Sequence, residues 1–185
     1  MKFLRFFIII FISLTTSIKA DLYKNLINQL EDGGKLIFIR HAYAPGNGDP
    51  AGFNLNDCST QRNLSEDGRK QAQRIGEFFT KNKIEIDKVL SSEWCRCKET
   101  AKIAFKNYST NSFLNSFYSS KFSKNKDKQV KAFNYYIKNL EIKKNLIFVT
   151  HYVFIHEILN YSPSSGEIVV SDKNLNIIGS IEIDF

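Results

Sequence analysis

Two histidines in this sequence each follow a short apolar segment, and a histidine held in such a position can act as a nucleophile. His41 comes after the apolar residues 36–39, with Arg40 between them, and His151 comes after the apolar residues 146–149 and Thr150. Such runs are typical of buried strands in a parallel sheet, whose carboxyl ends border the ligand crevice. The chain has only 3 histidines, so the equivalent placement of two of them points to a shared site.

Two arginines fall in matching positions and give the predicted site the chemistry of an anion pocket. Arg40 directly precedes His41, and Arg96 follows a third apolar segment, residues 86–90, through Ser92. Guanidinium groups bind phosphate oxygens in a bidentate manner and stay charged at any accessible pH. Cationic neighbours hold a histidine neutral, and a neutral imidazole can attack phosphorus. The second histidine can donate to a phosphoryl oxygen as negative charge develops there.

The segments that must position these residues alternate between strand and helix patterns. Strands are predicted at residues 35–39, 86–90, 146–150, 168–170 and 177–183, and helices at residues 22–30, 66–79, 93–105, 130–140 and 153–159. This alternation predicts a three-layer α/β/α sandwich with a mostly parallel central sheet. Residues 42–60 form a long loop, and residues 107–127 carry no clear pattern.

The first twenty residues have the layout of a secretory signal peptide and are not expected to join the fold. Lys2 and Arg5 precede an apolar stretch, residues 6–14, and Ala20 suits a cleavage site. We therefore expect residues 1–20 to be a signal peptide and residues 21–185 to be a single domain that is exported, periplasmic or secreted. The alternative is an uncleaved membrane anchor.

Composition and charge favour a folded domain without a nucleic-acid partner. Hydrophobic residues make up 43% of the chain and aromatic residues 14%, which is typical of a globular protein. Loss of residues 1–20 would remove three basic residues and lower the formal charge of +7 accordingly. Much of the remaining excess lies in residues 121–131, which we interpret as a solvated segment, and no recognisable nucleic-acid-binding module is present. Membrane contact is expected only through the signal peptide before cleavage.

The 3 cysteines allow one disulfide in an oxidising compartment. Cys95 and Cys97 are separated by one residue and are too close for an easy mutual bridge. We therefore expect Cys58 to pair with Cys95 or with Cys97, which leaves one free thiol. No fourth ligand accompanies the cysteines, so the sequence does not indicate a zinc site.

Five ordered blocks of this sequence resemble the histidine phosphatase superfamily, which has the phosphoglycerate-mutase-like fold. Arg40-His41-Ala42 resembles its Arg-His-Gly signature, and Val149-Thr150-His151 resembles the strand that carries its second histidine. Residues 64–72 are similar to its Leu-Ser-x-x-Gly-x-x-Gln-Ala helix start, and residues 91–101 are similar to its Ser-x-x-x-Arg-x-x-x-Thr-Ala block. Residues 166–170 fit the closing strand of the small exported branch. The resemblance spans roughly residues 35–171.

The resemblance implies a role for each residue of the predicted pocket. His41 would be the phosphorylated nucleophile, and water would later hydrolyse the phosphohistidine. Arg40, Arg96 and His151 would bind the phosphoryl group, and Arg62 would contact the phosphoryl group or the substrate. The arginines supply the positive charge, so no metal and no other cofactor is implied.

Two departures from the family pattern concern the backbone and the proton donor. Ala42 replaces the usual glycine, which adds a methyl group and removes tolerance for a positive φ. The acid that protonates the leaving oxygen is not evident, because residues 107–127 hold only Asp127, which lies among lysines. Asp57 and Glu167 are the candidate proton donors.

Two functions from different classes fit these observations. The first is an exported phosphatase that hydrolyses a phosphate monoester or another phosphoryl substrate, carried by a small molecule or a phosphoprotein, through a phosphohistidine on His41. The second is a non-catalytic phosphate-binding or anion-binding protein that retains the pocket without a proton donor. A mutase is disfavoured, because exported proteins do not meet glycolytic substrates. The substrate and the oligomeric state are left open by the sequence.

Overall fold

A six-stranded sheet flanked by helices forms the structure, a computed structural model that describes residues 20–184. Strands β1–β6 comprise Leu36–Arg40, Ile86–Ser91, Ser109–Thr110, Asn145–Thr150, Ile168–Ser171 and Ile177–Ile181. Helices α1–α6 comprise residues 20–31, Glu66–Lys81, Cys95–Phe105, Ser120–Ser123, Lys126–Lys138 and Tyr152–Leu159. Two short 3-10 helices lie at Cys58–Thr60 and Ser112–Leu114.

The sheet is mixed and mostly parallel, in the order β3-β2-β4-β1-β5-β6. Strands β3, β2, β4 and β1 pair in parallel, whereas β5 runs antiparallel to both β1 and β6. Arg40 is in register with Thr150 across β1 and β4. The residues that follow these two central strands therefore meet at the same edge of the sheet.

Alternate residues of β1 pack against different helical layers. Ile37 and Ile39 belong to a buried cluster that includes apolar residues of α1, α2 and α3. Leu36 and Phe38 belong to a second buried cluster that includes apolar residues of α5 and α6. Because side chains alternate across a strand, this division places a helical layer on each face of the sheet. The predicted three-layer α/β/α sandwich is confirmed.

The start of α2 holds the chain that leaves β1. Ser65 caps the helix by accepting a hydrogen bond from the Gly68 amide at 3.1 Å, and its own amide donates to Tyr43 O at 3.2 Å. A Cβ atom at Gly68 would lie only 2.0 Å from Tyr43 O, so a larger residue would push the two segments apart. The Leu-Ser-x-x-Gly block thus fixes the backbone just after His41.

Residues 107–127 contain more regular structure than their sequence indicates. The short strand β3 and the helix α4 lie here, and α5 begins at Lys126, four residues before the predicted start. The first turn of α5 is polar and shows no apolar periodicity, so the pattern that predicts helices does not detect it.

The predicted signal peptide lies outside the described residues except for residue 20. Among residues 20–184, no helix has the length and apolar character needed to cross a membrane.

Candidate active site

His41 and His151 lie side by side at the carboxyl edge of the sheet. The His41 amide donates to Thr150 O at 2.9 Å, and the two imidazole rings are 5.5 Å apart in an edge-to-face arrangement. Both side chains are buried, with 3% of their surface exposed. The structure therefore brings together the two histidines that follow β1 and β4.

The hydrogen bonds of His41 leave a lone pair on Nε2. Its Nδ1 lies 2.9 Å from Ala42 O, an acceptor only, so Nδ1 carries the proton. Nε2 in turn accepts a hydrogen bond from Arg96 Nε at 3.2 Å. Burial and then the charge of Arg96 lower the pKa of His41 well below its usual value. His41 is therefore a neutral imidazole with its unprotonated nitrogen facing the arginine.

Ala42 fits the position that the resemblance assigns to glycine. It is fully buried, and it is not among the residues with positive φ, so the methyl group causes no backbone strain. The Ala42 amide donates to Thr100 Oγ1 at 3.0 Å, and that hydroxyl donates to Arg96 O at 2.7 Å. Thr100 thereby ties the backbone after His41 to the helix that carries Arg96.

The side chain of Gln71, in the middle of α2, binds three separate chain segments. Its Oε1 accepts from the Tyr43 amide at 2.9 Å, and its Nε2 donates to Ser165 O at 2.8 Å and to Ile183 O at 2.6 Å. The loop after β1, the approach to β5 and the segment after β6 therefore share one buried amide.

Arg96 projects from the first turn of α3 between the two histidines. Its Nη2 lies 3.5 Å from His151 Nδ1, and only 3% of its side chain is exposed. The guanidinium group also makes two hydrogen bonds to Asp49, at 2.7 Å from Nη1 to Oδ1 and at 3.3 Å from Nη2 to Oδ2. Arg96 thus contacts both histidines and a carboxylate at once.

Asp49 is the functional residue that sequence reasoning missed. Besides Arg96, it accepts hydrogen bonds from Trp94 Nε1 at 3.0 Å and from the Arg62 amide at 3.2 Å. Burial opposes ionisation of Asp49, but the hydrogen bonds and charge of Arg96 outweigh it and lower the pKa. An ionised carboxylate therefore occupies the guanidinium edge that a bound anion would use.

Arg40 and Arg62 line the same pocket from different segments. Arg40 Nη1 donates to Pro163 O at 2.9 Å, whereas the buried Nε has no hydrogen-bond partner within residues 20–184. Arg62 Nε donates to Gly48 O at 2.8 Å, and its Nη1 donates to Ala44 O. Arg62 therefore supports the loop between residues 44 and 49 as well as facing the pocket.

His151 is held by groups behind the pocket. Its Nε2 lies 2.9 Å from Ser92 Oγ, which itself donates to Asn115 Oδ1, so the imidazole donates to the serine. Burial and then the charge of Arg96 lower the pKa of His151 well below its usual value. Cys97 lies 3.5 Å from Nε2, and burial raises its pKa to about 12. The free thiol is thus a buried packing group rather than a nucleophile.

The predicted disulfide forms between Cys58 and Cys95, and Cys97 is the free cysteine. The bond joins the loop that follows β1 to the first turn of α3. Gln61 reinforces this join, because its Oε1 accepts from the Cys95 amide at 3.0 Å.

The two candidate proton donors lie outside the pocket. Asp57 is exposed and caps a 3-10 helix by accepting from the Ser59 amide at 3.0 Å and from Ser59 Oγ at 2.7 Å. Glu167 is buried and accepts from Tyr161 Oη at 2.5 Å and from the Ser164 amide at 2.7 Å. Both carboxylates satisfy local backbone and hydroxyl donors, and neither is positioned to protonate a leaving group here.

The cluster forms the floor of a pocket of about 440 Å³. Arg40, Arg62 and Arg96 line it together with both histidines, and Asp49 is its only lining carboxylate within residues 20–184. In that same part of the chain, no group of three or more histidine, cysteine, aspartate or glutamate side chains is placed to hold a metal. The pocket can therefore bind an anion against three guanidinium groups beside a neutral imidazole.

A family model described as histidine phosphatase superfamily (branch 1) matches residues 36–113, which include β1, α2, β2, α3 and His41. The match covers less than half of the chain and includes three of the sequence blocks that resemble this superfamily. Together with those motifs it supports a histidine-type phosphatase. No curated protein shows a significant match to the chain.

Solved structures with the same fold align with most of the chain at low identity. The protein TTHB049 from Thermus thermophilus is 14% identical, with 81% of this chain and 99% of that chain covered and a TM-score of 0.55. A putative phosphohistidine phosphatase SixA from Agrobacterium tumefaciens is 16% identical, with 81% and 99% covered and a TM-score of 0.55. The protein histidine phosphatase SixA in complex with tungstate is 14% identical, with 81% and 96% covered and a TM-score of 0.54. At these identities the likeness concerns the fold alone.

Proposed function

We propose that this phosphatase is exported and removes a phosphoryl group from its substrate through a phosphohistidine on His41. The observation that carries the proposal is the state of His41, a neutral imidazole whose unprotonated Nε2 lies at the floor of a pocket with three arginines. A nucleophile must offer a lone pair to phosphorus, and the bond from Nδ1 to Ala42 O keeps Nε2 unprotonated without a separate base. Arg96 Nε would release this lone pair as phosphorus approaches.

Binding would bring the phosphoryl oxygens against the guanidinium groups of Arg40, Arg62 and Arg96. Arg96 Nη1 and Nη2 are occupied by Asp49. A phosphoryl dianion would replace that carboxylate, because two negative groups cannot share one guanidinium edge without strong repulsion.

Transfer then forms a bond between His41 Nε2 and phosphorus while the bond from phosphorus to the leaving oxygen breaks. Negative charge on the equatorial oxygens is stabilised by the arginines, which face the pocket before substrate arrives. His151 becomes a donor to these oxygens once the dianion raises its affinity for a proton. In the second step a water oxygen attacks phosphorus, the bond to Nε2 breaks, and phosphate leaves.

The substrate is defined here by class: a phosphorylated small molecule or a phosphoprotein. The solved structure named a protein histidine phosphatase shares the fold of this chain, which favours a phosphoprotein, including one phosphorylated on histidine, as a candidate. The open pocket of about 440 Å³ also has room for a small organic phosphate.

Export is supported by two features of the chain. Residues 1–20 have a basic start, an apolar stretch and a small residue at position 20. The bond between Cys58 and Cys95 is typical of proteins in an oxidising compartment such as the periplasm or the cell exterior. Both features support the proposal that the enzyme acts outside the cytoplasm after removal of residues 1–20.

Trapping the intermediate tests the phosphatase proposal directly. Purified protein is mixed with 4-nitrophenyl phosphate, the reaction is quenched in alkali, and the protein mass and the released nitrophenolate are measured. We expect a phosphorylated protein and turnover that falls by at least about a thousandfold in His41→Ala. The matched control is His156→Ala, because His156 is exposed, contacts Ser162 and does not line the pocket.

Tungstate binding separates the phosphatase from the non-catalytic alternative. The observation that favours a pure anion-binding protein is that, within residues 20–184, the pocket has no free carboxylate. Equal, near-zero turnover by the wild type and His41→Ala, with tungstate still stabilising both proteins, would support that alternative and exclude the enzyme.

A further inference from the structure

Two tyrosines lie at the mouth of the active-site pocket with their rings accessible. Tyr118 is 54% exposed and Tyr152 is 36% exposed, and their ring centroids are 5.9 Å apart. Arg40 Cζ lies 5.4 Å from the centroid of the Tyr152 ring. Tyr152 therefore lies against Arg40, which would bind the phosphoryl group, and Tyr118 lies farther toward solvent.

A second aromatic group lines the same pocket. Phe53, Trp94 and Phe122 pack on one another with ring centroids 5.2–5.6 Å apart, and Trp94 also packs edge-to-face on His151. Phe53 and Phe122 are only partly buried. The space next to the phosphoryl-binding groups is thus bordered by aromatic rings in two places.

The volume of the pocket is much larger than a phosphoryl group requires. A pocket of about 440 Å³ falls in the range that holds small organic ligands. Aromatic side chains favour another ring in offset or edge-to-face contact, beyond what burial of apolar area provides. An aromatic leaving group would therefore bind more tightly beside these rings than an aliphatic group of equal size.

The polar groups of the pocket also favour an aromatic alcohol as the leaving group. Asp49 is its only carboxylate within the described residues, and it is bound to Arg96 by two hydrogen bonds. Without a free carboxyl group to protonate it, the leaving oxygen departs more easily when it is stable as an anion. A phenolate does so readily, since a phenol has a pKa of about 10, whereas an alkoxide is close to hydroxide in basicity.

We propose that the substrates of this phosphatase are phosphate monoesters of aromatic alcohols, whose ring packs against Tyr152 and Tyr118 while the phosphoryl group lies against the arginines. This proposal rests on the phosphatase function proposed above and specifies its substrate class. The bond between phosphorus and the aryl oxygen breaks as His41 Nε2 bonds to phosphorus. The phenolate leaves with the bonding electron pair and takes its proton from water.

Two esters of similar leaving-group acidity separate ring recognition from chemical reactivity. The wild-type enzyme is assayed with phenyl phosphate and with hexafluoroisopropyl phosphate, whose aliphatic alcohol is also acidic. We expect kcat/KM to be roughly threefold to tenfold higher for phenyl phosphate, the size of a favourable aromatic contact. In Tyr118→Leu this ratio should fall toward one, chiefly through loss on phenyl phosphate, and Tyr118→Phe should restore it.

A distant tyrosine provides the matched control. Tyr135 is 73% exposed on α5 and does not line the pocket, so Tyr135→Leu should leave the ratio unchanged. Equal kcat/KM values for the two esters, or an equal loss on both in Tyr118→Leu, would overturn the aromatic substrate class while leaving the phosphatase intact. Absence of turnover and of phosphorylated His41 with either ester would overturn the phosphatase proposal and this inference with it.

A phosphotyrosine peptide distinguishes the two sources of an aryl phosphate. A higher kcat/KM for the peptide than for phenyl phosphate supports the proposal and indicates a phosphoprotein substrate. A higher value for phenyl phosphate also supports it and indicates a small molecule.

Discussion

Replacement of Asp49 by asparagine tests whether the pocket needs an internal anion when no phosphoryl group is bound. In the wild type the carboxylate accepts four hydrogen bonds, two of them from the buried Arg96. An asparagine keeps the shape but not the charge, and its amide nitrogen would face a donor. Because loss of one partner leaves a buried charge uncompensated, we expect the free energy of unfolding to fall by about 3 kcal/mol.

Phosphate should offset this loss, because it supplies the missing negative charge. In the wild type an incoming anion competes with Asp49 for Arg96, whereas in Asp49→Asn it does not. We therefore expect phosphate or tungstate to stabilise the variant more than the wild type, by about 1–3 kcal/mol at equal concentration. Urea denaturation with and without the anion measures both quantities.

A matched control is Glu99→Gln, which removes a carboxylate from the partly exposed ion pair with Arg69. Such a pair contributes at most about 1 kcal/mol, and no dependence on phosphate is expected. The reasoning would be refuted if Asp49→Asn lost less than about 1 kcal/mol, or if the anion stabilised both proteins equally.

Two further predictions concern stability. Burial and the charge of Arg96 lower the pKa values of His41 and His151 in the folded protein. Below the usual histidine pKa of 6.5, the unfolded chain therefore binds more protons than the folded chain. The free energy of unfolding should fall as the pH decreases through 6.5. Urea denaturation should show a loss of up to about 1.4 kcal/mol per pH unit per histidine, and a flat profile would contradict the buried neutral state. The double variant Cys58→Ser, Cys95→Ser removes a bridge with a sequence separation of 37, and we expect its free energy of unfolding to lie about 3–4 kcal/mol below that of the oxidised wild type. Urea denaturation without reductant measures the difference, and unchanged stability would contradict the role of the bridge.

The sequence predicts well which residues lie together in the pocket, because most of them follow strands. Arg40, His41 and His151 each stand at the end of an apolar run, and parallel register brings such positions together. Arg96 could be found because its helix begins shortly after β2. Residues at the ends of parallel strands can therefore be predicted to lie close together even when the loops cannot be predicted.

Asp49 could not be predicted, because its position depends on a loop without periodic pattern. The shape of this loop depends on Pro50, the disulfide of Cys58 and the contacts of Arg62. None of these indicates which carboxylate lines the pocket. The same limit explains the two proton-donor candidates. Asp57 and Glu167 suit an acid by residue type, yet each binds donors within a few residues of itself in the chain.

The contacts of Gln71 have a practical consequence for handling this protein. One amide group binds both the Tyr43 amide, two residues after His41, and Ile183 O near the end of the described chain. Arg74 adds a hydrogen bond to Asp184 O at 3.3 Å. We expect an affinity tag or fusion partner joined directly after residue 185 to disturb these bonds to residues 183 and 184, and with them the Gln71 side chain that holds the loop after His41. A purification handle belongs instead at the start of α1, directly after the predicted cleavage position.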